Sequence, residues 1–174
     1  MHTQRGLSLV ELMVTLSLIG VLLAGVAPGF RDFMNRQQAV SLNNRLLAHL
    51  AMARTQAVVH RATTVVCPSA LDAQQCRNGG DWSEQWLVFI DIDGDLQRDA
   101  NETVISQEAA DLPPGWRLVS SIHRPRVRYK ANGMSTGSNL SIRLCNGNTA
   151  HSAIVMNNAG RPRLDKSPRG GCDG

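Results

Sequence analysis

GLSLVELMVTLSLIGVLLAGVAPGF, residues 6–30, is the stretch on which the reading of this chain turns. Residues 12–30 are nineteen consecutive positions without a charge, enough for a helix to cross the apolar core of a bilayer. Ahead of them stands a short basic leader, MHTQRG, with Arg5 beside Gly6. One carboxylate, Glu11, lies five residues past Gly6, within the apolar stretch. A secretory signal peptide carries an apolar core of about 7–15 residues and then a small-residue cleavage site. Here the small-residue junction comes first. A carboxylate in hydrocarbon costs about 2.5 kcal/mol or more unless partnered, so a plain anchor has little reason to carry Glu11. Cutting between Gly6 and Leu7 would free an α-amine close to that carboxylate, in the same subunit or a neighbour.

A basic leader, a Gly, an apolar residue and a Glu fifth after the junction together resemble the prepilin signature of type IV pilins and type II secretion pseudopilins. The resemblance implies that a membrane prepilin peptidase cuts after Gly6 and N-methylates the new terminus at Leu7. It also implies that Glu11 pairs with a terminal amine during filament assembly. Leu7 stands where Phe is usual in that family. The expected path is a single pass through the inner membrane with a periplasmic head, then incorporation into a surface pilus among other major and minor pilins.

Beyond leader and anchor, the rest of the 174 residues is enough for one small domain. Its cysteines, Cys67, Cys76, Cys145 and Cys172, follow a membrane-targeting segment, which points to an oxidising compartment and two disulfides. Of the three possible pairings, Cys67–Cys76 as a local loop and Cys145–Cys172 as a staple for the tail are favoured. The longer closure contributes about 3 kcal/mol in a chain-entropy account. No C-x-x-C is present and no His is spaced with the cysteines, which argues against zinc. Charge is polarised: residues 81–111 carry a net −8 and residues 112–174 a net +8. Such polarity suggests an acidic neighbour or a polyanion as partner for the basic half.

Along the chain, Pro28-Gly29 is expected to kink the helix. Beyond it Phe30, Phe33, Met34, Leu42, Leu46, Leu47, Leu50, Ala53, Ala57 and Val58 mostly keep a 3–4 residue spacing, which predicts an amphipathic helix to about His60. Strand candidates follow at 63–67, 85–91, 103–107, 116–122, 126–130, 139–145 and 152–157, separated by Gly-, Asn- and Pro-rich turns. The fold class is α+β and pilin-like: a long N-terminal helix packed on an antiparallel β-sheet head. The expected domains are a leader (1–6), a membrane and filament-core helix (7–30), an amphipathic spine (31–60) and a β-rich head (61–174).

The segments AMARTQAVVHRATTVVC, DWSEQWLVFIDIDGD and VRYKANG resemble the GspH/FimT family of minor pilins and pseudopilins. Its members show a helix ending in A-R-x-x-A, a Trp-led strand running into an Asp turn, and a Gly-ended strand. The tail NNAGRPRLDKSPRGGC holds Gly160-Arg161-Pro162-Arg163. This G-R-x-R piece resembles the DNA-binding motif of FimT proteins, minor pilins that help competent bacteria capture double-stranded DNA. The resemblance puts Arg161 and Arg163 on the phosphate backbone, with Gly160 setting the turn; Lys166 and Arg169 join them on charge alone. Arg124, Arg126, Arg128 and Lys130 alternate, so an extended strand would show all four on one face, a weaker candidate stripe. Without stacking aromatics in the tail, binding should be sequence-independent and salt-sensitive.

Two other chemistries find only partial support in the residues. The run Asp91-Ile92-Asp93-Gly94-Asp95 invites a calcium reading, but an EF-hand loop wants Gly sixth and Glu twelfth. Counting from Asp91, Gly94 is fourth and Glu102 twelfth, with no helix evident before the run. A polar hairpin loop is the favoured reading, and no metal or cofactor is expected. None of His2, His49, His60, His123 and His151 falls in a nucleophile or metal motif. No enzyme is expected.

Overall fold

The computed structural model describes residues 8–71, 74–135, 137, 139–168 and 170–172, with backbone only for 23–28, 31 and 32. Among the described residues one helix, α1 (Leu9–His60), precedes eight strands. The chain divides into two compact units, Met1–Gln37 and Gln38–Gly174.

In the first unit Ser8 caps α1: its Oγ accepts the Glu11 N–H at 3.2 Å. Glu11 thus sits in the first helical turn, where the exposed N–H groups and the helix dipole favour a carboxylate. Gly6 and Leu7, expected to flank the cut, lie outside the described residues. Thr15 Oγ1 and Ser17 Oγ turn back onto the carbonyls of Leu12 and Met13 at 2.9 and 2.8 Å. The apolar side chains from Leu9 to Leu22 are all exposed. Among the described residues no helix is long and apolar enough to cross a membrane. The crossing expected over residues 7–30 takes in Leu7 and residues 23–28, whose side chains lie outside the described residues. The helix passes through Pro28 and Gly29 without ending.

In the second unit Ala39, Leu42, Leu46, Leu50, Ala53 and Ala57 are buried along one stripe of α1. They share one core cluster with residues of two sheets. The first sheet has the order β3-β2-β1-β5, from β1 (Thr63–Ser69), β2 (Gln85–Asp91), β3 (Val104–Ala109) and β5 (Val127–Tyr129). The second has the order β4-β6-β7-β8, from β4 (Trp116–Val119), β6 (Leu140–Asn146), β7 (Thr149–Met156) and β8 (Pro162–Asp165). All pairings are antiparallel. Val66, Trp86 and Val88 face the helix side, while Val65, Cys67, Leu87 and Phe89 form a second cluster with Leu96 and Val104. Strands buried on both faces read as unbroken apolar runs, as TTVVC and QWLVFID do.

The expected antiparallel head is divided between two four-stranded sheets. Strand β8 is not among the strand candidates, because Pro162-Arg163-Leu164-Asp165 has no apolar alternation; pairing with β7 (Met156↔Pro162, Val155↔Arg163) makes it an edge strand, where Pro is tolerated. Phe30, Phe33, Met34 and Val58 are exposed and do not belong to the buried stripe. Both disulfides, Cys67–Cys76 and Cys145–Cys172, are formed.

His49 is a titratable group at the helix–sheet contact. Trp86 Nε1 donates to His49 Nδ1 at 2.7 Å, which requires that nitrogen to be unprotonated. Burial, the largest influence, pushes His49 below its ordinary pKa; Glu108 pulls it up and Arg45 pushes it further down. The unfolded chain therefore binds the proton more readily. Stability is fully present above the unfolded value near 6.5 and falls as pH drops from there toward the folded value. Melting temperature should decline between neutral and mildly acidic pH, and His49→Gln should flatten that decline. An unchanged pH profile in the variant would remove His49 from this role.

Candidate nucleic-acid interface

The two basic segments are the outer strands of different sheets. Strand β5 is one edge of the first sheet and β8 one edge of the second. They are joined through their turns. After β5 the chain turns at Lys130–Gly133, with Lys130 accepting from Gly133 N–H at 2.7 Å. After β7, Gly160 N–H donates to the Asn157 carbonyl at 2.9 Å, and the Asn157 side chain accepts the Arg161 N–H at 3.3 Å. The turns touch: Ser135 N–H donates to the Asn158 carbonyl at 3.0 Å.

Gly160 is required at this contact. Its φ is +73°, and a Cβ there would lie 2.3 Å from the Gly133 carbonyl oxygen. That same oxygen accepts from Arg54 Nε at 2.9 Å. Thus Arg54 of the A-R-x-x-A segment, Gly133 of VRYKANG and Gly160 of the tail meet at one carbonyl. Arg54, Gly133 and Asn157 were not among the expected site residues. The motif pieces hinted at the first two, and nothing local in the sequence marked Asn157.

The alternation expected around β5 is present. Val127 and Tyr129 are buried, Arg126 and Arg128 are half-buried and Lys130 is exposed. Arg124, also exposed, precedes the strand in a turn closed by its N–H on the Ser121 carbonyl at 3.2 Å. Arg126 is committed inward. Its Nη2 donates to Asn78 Oδ1 at 3.2 Å, and the Gln97 amide oxygen, turned toward it, lies 2.7 and 3.1 Å from its terminal nitrogens. Burial lowers its pKa, with Asp95 opposing. Burial and these local contacts hold the Arg126 guanidinium in place. Arg124, Arg126 and Arg128 line a cleft of about 260 Å³ with Leu96 and His123.

On the other edge Arg161, Arg163 and Lys166 are exposed, while Leu164 packs on the core. Among the described residues, none of the three, nor Arg124 or Lys130, forms an ion pair; the pairs present are Arg45 with Glu108 and Asp111, and Arg77 with Glu84. The tail is pinned at Cys172, which is buried and bonded to Cys145 of β6. Arg169 lies outside the described residues.

A family model described as Type II transport protein GspH matches residues 42–160. This chain belongs to the GspH family. A second model, the prokaryotic N-terminal methylation motif, matches residues 1–27. The first match ends at Gly160, so Arg161 and the residues after it lie beyond it. Two crystal structures of the Pseudomonas aeruginosa type IV minor pilin FimU share the fold. One has TM-score 0.60 at 19% identity over 79% of this chain and 97% of that one. The other has TM-score 0.55 at 18% identity over 74% and 96%. The type IV major alpha-pilin of Moraxella bovis is 33% identical over 48 residues, 28% of this chain. The match spans only 30% of that relative's length. This GspH-family chain therefore has a minor-pilin fold and a pilin N-terminus, and its family is one of structural proteins.

Proposed function

We propose that this GspH-family chain is a minor type IV pilin that binds extracellular double-stranded DNA without sequence preference, for uptake in natural transformation. The observation that carries the proposal is the convergence of two basic sheet edges at the Gly133–Gly160 contact, with Arg161, Arg163 and Lys166 exposed and outside any ion pair among the described residues. Arg124, Arg128 and Lys130 extend the surface, and Arg169 adds charge by sequence. The mechanism is electrostatic. Guanidinium forks bond phosphate oxygens in pairs, displaced counterions supply much of the free energy, and a paired, disulfide-pinned segment loses little freedom on binding. No cofactor and no catalysis enter this reading.

The remaining steps follow the pilin signature. A prepilin peptidase cuts between Gly6 and Leu7 and methylates the new terminus, the apolar helix holds the protein in the inner membrane, and assembly with other pilins covers its exposed residues. Glu11 in the first turn is placed to meet a neighbour's terminal amine. A second reading, a minor pilin or pseudopilin that primes assembly without DNA, draws on β8 as a sheet edge with an unpaired side open to a neighbour.

The test uses the full chain in non-ionic detergent, titrated with unrelated duplexes, beside Arg161→Gln/Arg163→Gln. Equal wild-type affinity for all duplexes and a weakened double variant are expected. Equal binding by both proteins would assign the tail to assembly instead.

A further inference from the structure

Outside the basic surface, the loop joining β2 to β3 gathers carboxylates. One oxygen each from Asp91, Asp93 and Asp95 lies within 4.8 Å of the others. Asp93 and Asp95 are exposed, whereas Asp91 is 2% exposed at the end of β2. Asp91 Oδ1 accepts the Gly94 N–H at 2.8 Å, and its buried Oδ2 has no hydrogen-bond partner. A buried carboxylate oxygen without a donor carries a desolvation cost that a cation would offset.

We propose that this loop is a calcium site, with Asp91, Asp93 and Asp95 as side-chain ligands. Calcium takes carboxylate and carbonyl oxygens at about 2.3–2.6 Å in a flexible shell. Two ligands on opposite sides of the ion are then up to about 5 Å apart, so oxygens within 4.8 Å of one another can share one calcium.

Glu102, twelfth from Asp91, is 4% exposed, and its two oxygens accept the N–H groups of Ile92 at 2.6 Å and Asp99 at 3.0 Å. The misplaced glycine that argued against calcium is no obstacle. The sixth position, Leu96, itself adopts φ +66° and packs its side chain into the second apolar cluster. This is a strand–loop–strand site rather than a helix–loop–helix one.

The experiment is isothermal titration of the full chain in detergent micelles, stripped with EGTA, with calcium chloride up to about 10 mM, because extracellular calcium modules bind with Kd of about 10⁻⁴–10⁻³ M. One calcium per chain, a raised melting temperature and a weaker response to magnesium are expected. Asp93→Asn/Asp95→Asn, at exposed positions, should keep the fold by circular dichroism and weaken calcium at least about tenfold, the loss of two charged ligands. Asp91→Asn should also lose the response while melting no lower than wild type in EGTA, since it removes a buried charge. No binding heat and no melting shift at the highest concentration would overturn the proposal. So would an unchanged calcium response in either variant.

Discussion

Replacing Gly160 with alanine should destabilise the head by about 3 kcal/mol, a fall in melting temperature of about 10 °C for a domain of this size. Two effects combine. At φ +73° a side chain is strained, and its Cβ would stand 2.3 Å from the Gly133 carbonyl oxygen, a backbone atom already held by Arg54. Neither turn can retreat cheaply: Ser135 is bonded to Asn158, and β8 is zipped onto β7. Gly147→Ala supplies the control. Its φ is also positive, +57°, but nothing lies within 4 Å of the added carbon, so only the backbone strain of about 1 kcal/mol applies. Equal losses at both positions, measured by thermal melting, would show that the Gly133–Gly160 contact does not join the two sheets tightly.

Removing the Cys145–Cys172 bond should be nearly as costly. The bond closes a loop of 27 residues, worth about 3 kcal/mol through the entropy of the unfolded chain. The Cys67–Cys76 bond, closing nine residues, is worth roughly 1 kcal/mol less on the same account. Cys145→Ser/Cys172→Ser should therefore melt lower than Cys67→Ser/Cys76→Ser, in matched denaturation curves. The reverse order would mean that local packing around β1, not loop closure, dominates. Arg163 should stay placed in the first variant, because β8 pairing rather than the disulfide holds it.

The parts legible in sequence were those whose burial leaves a local signature. Strand β2 was bounded to the residue, since QWLVFID is apolar on both faces and ends in an Asp-Gly turn. The buried stripe of α1 showed from Leu42 to Ala57, where spacing and burial coincide. Phe30, Phe33 and Met34 carry the same apolar character without burial in the head, so periodicity alone extended the stripe too far. Strand β8 was invisible because its edge position is decided by β7, and its charged, proline-led residues suit an edge. The same holds for the site. Arg161 and Arg163 stood out by spacing, but the contact that joins their turn to Lys130 depends on a carbonyl 27 residues earlier. Arg126 shares the spacing of Arg124, and its contacts with Asn78 and Gln97 leave no trace in the sequence. Leu96 hid the loop's resemblance to a calcium-binding turn, because a leucine gives no sign of a left-handed backbone.

The most direct test of the central claim is the salt dependence of DNA affinity. For the full chain in detergent, log K for several unrelated duplexes is plotted against log salt, for wild type and for Arg161→Gln/Arg163→Gln with folding verified. The account predicts parallel lines for all duplexes. It also predicts that the double variant loses about 2 units of slope and roughly 50-fold in affinity near 0.1 M salt, as deletion of two phosphate contacts requires. Identical slopes and affinities for the two proteins would contradict it.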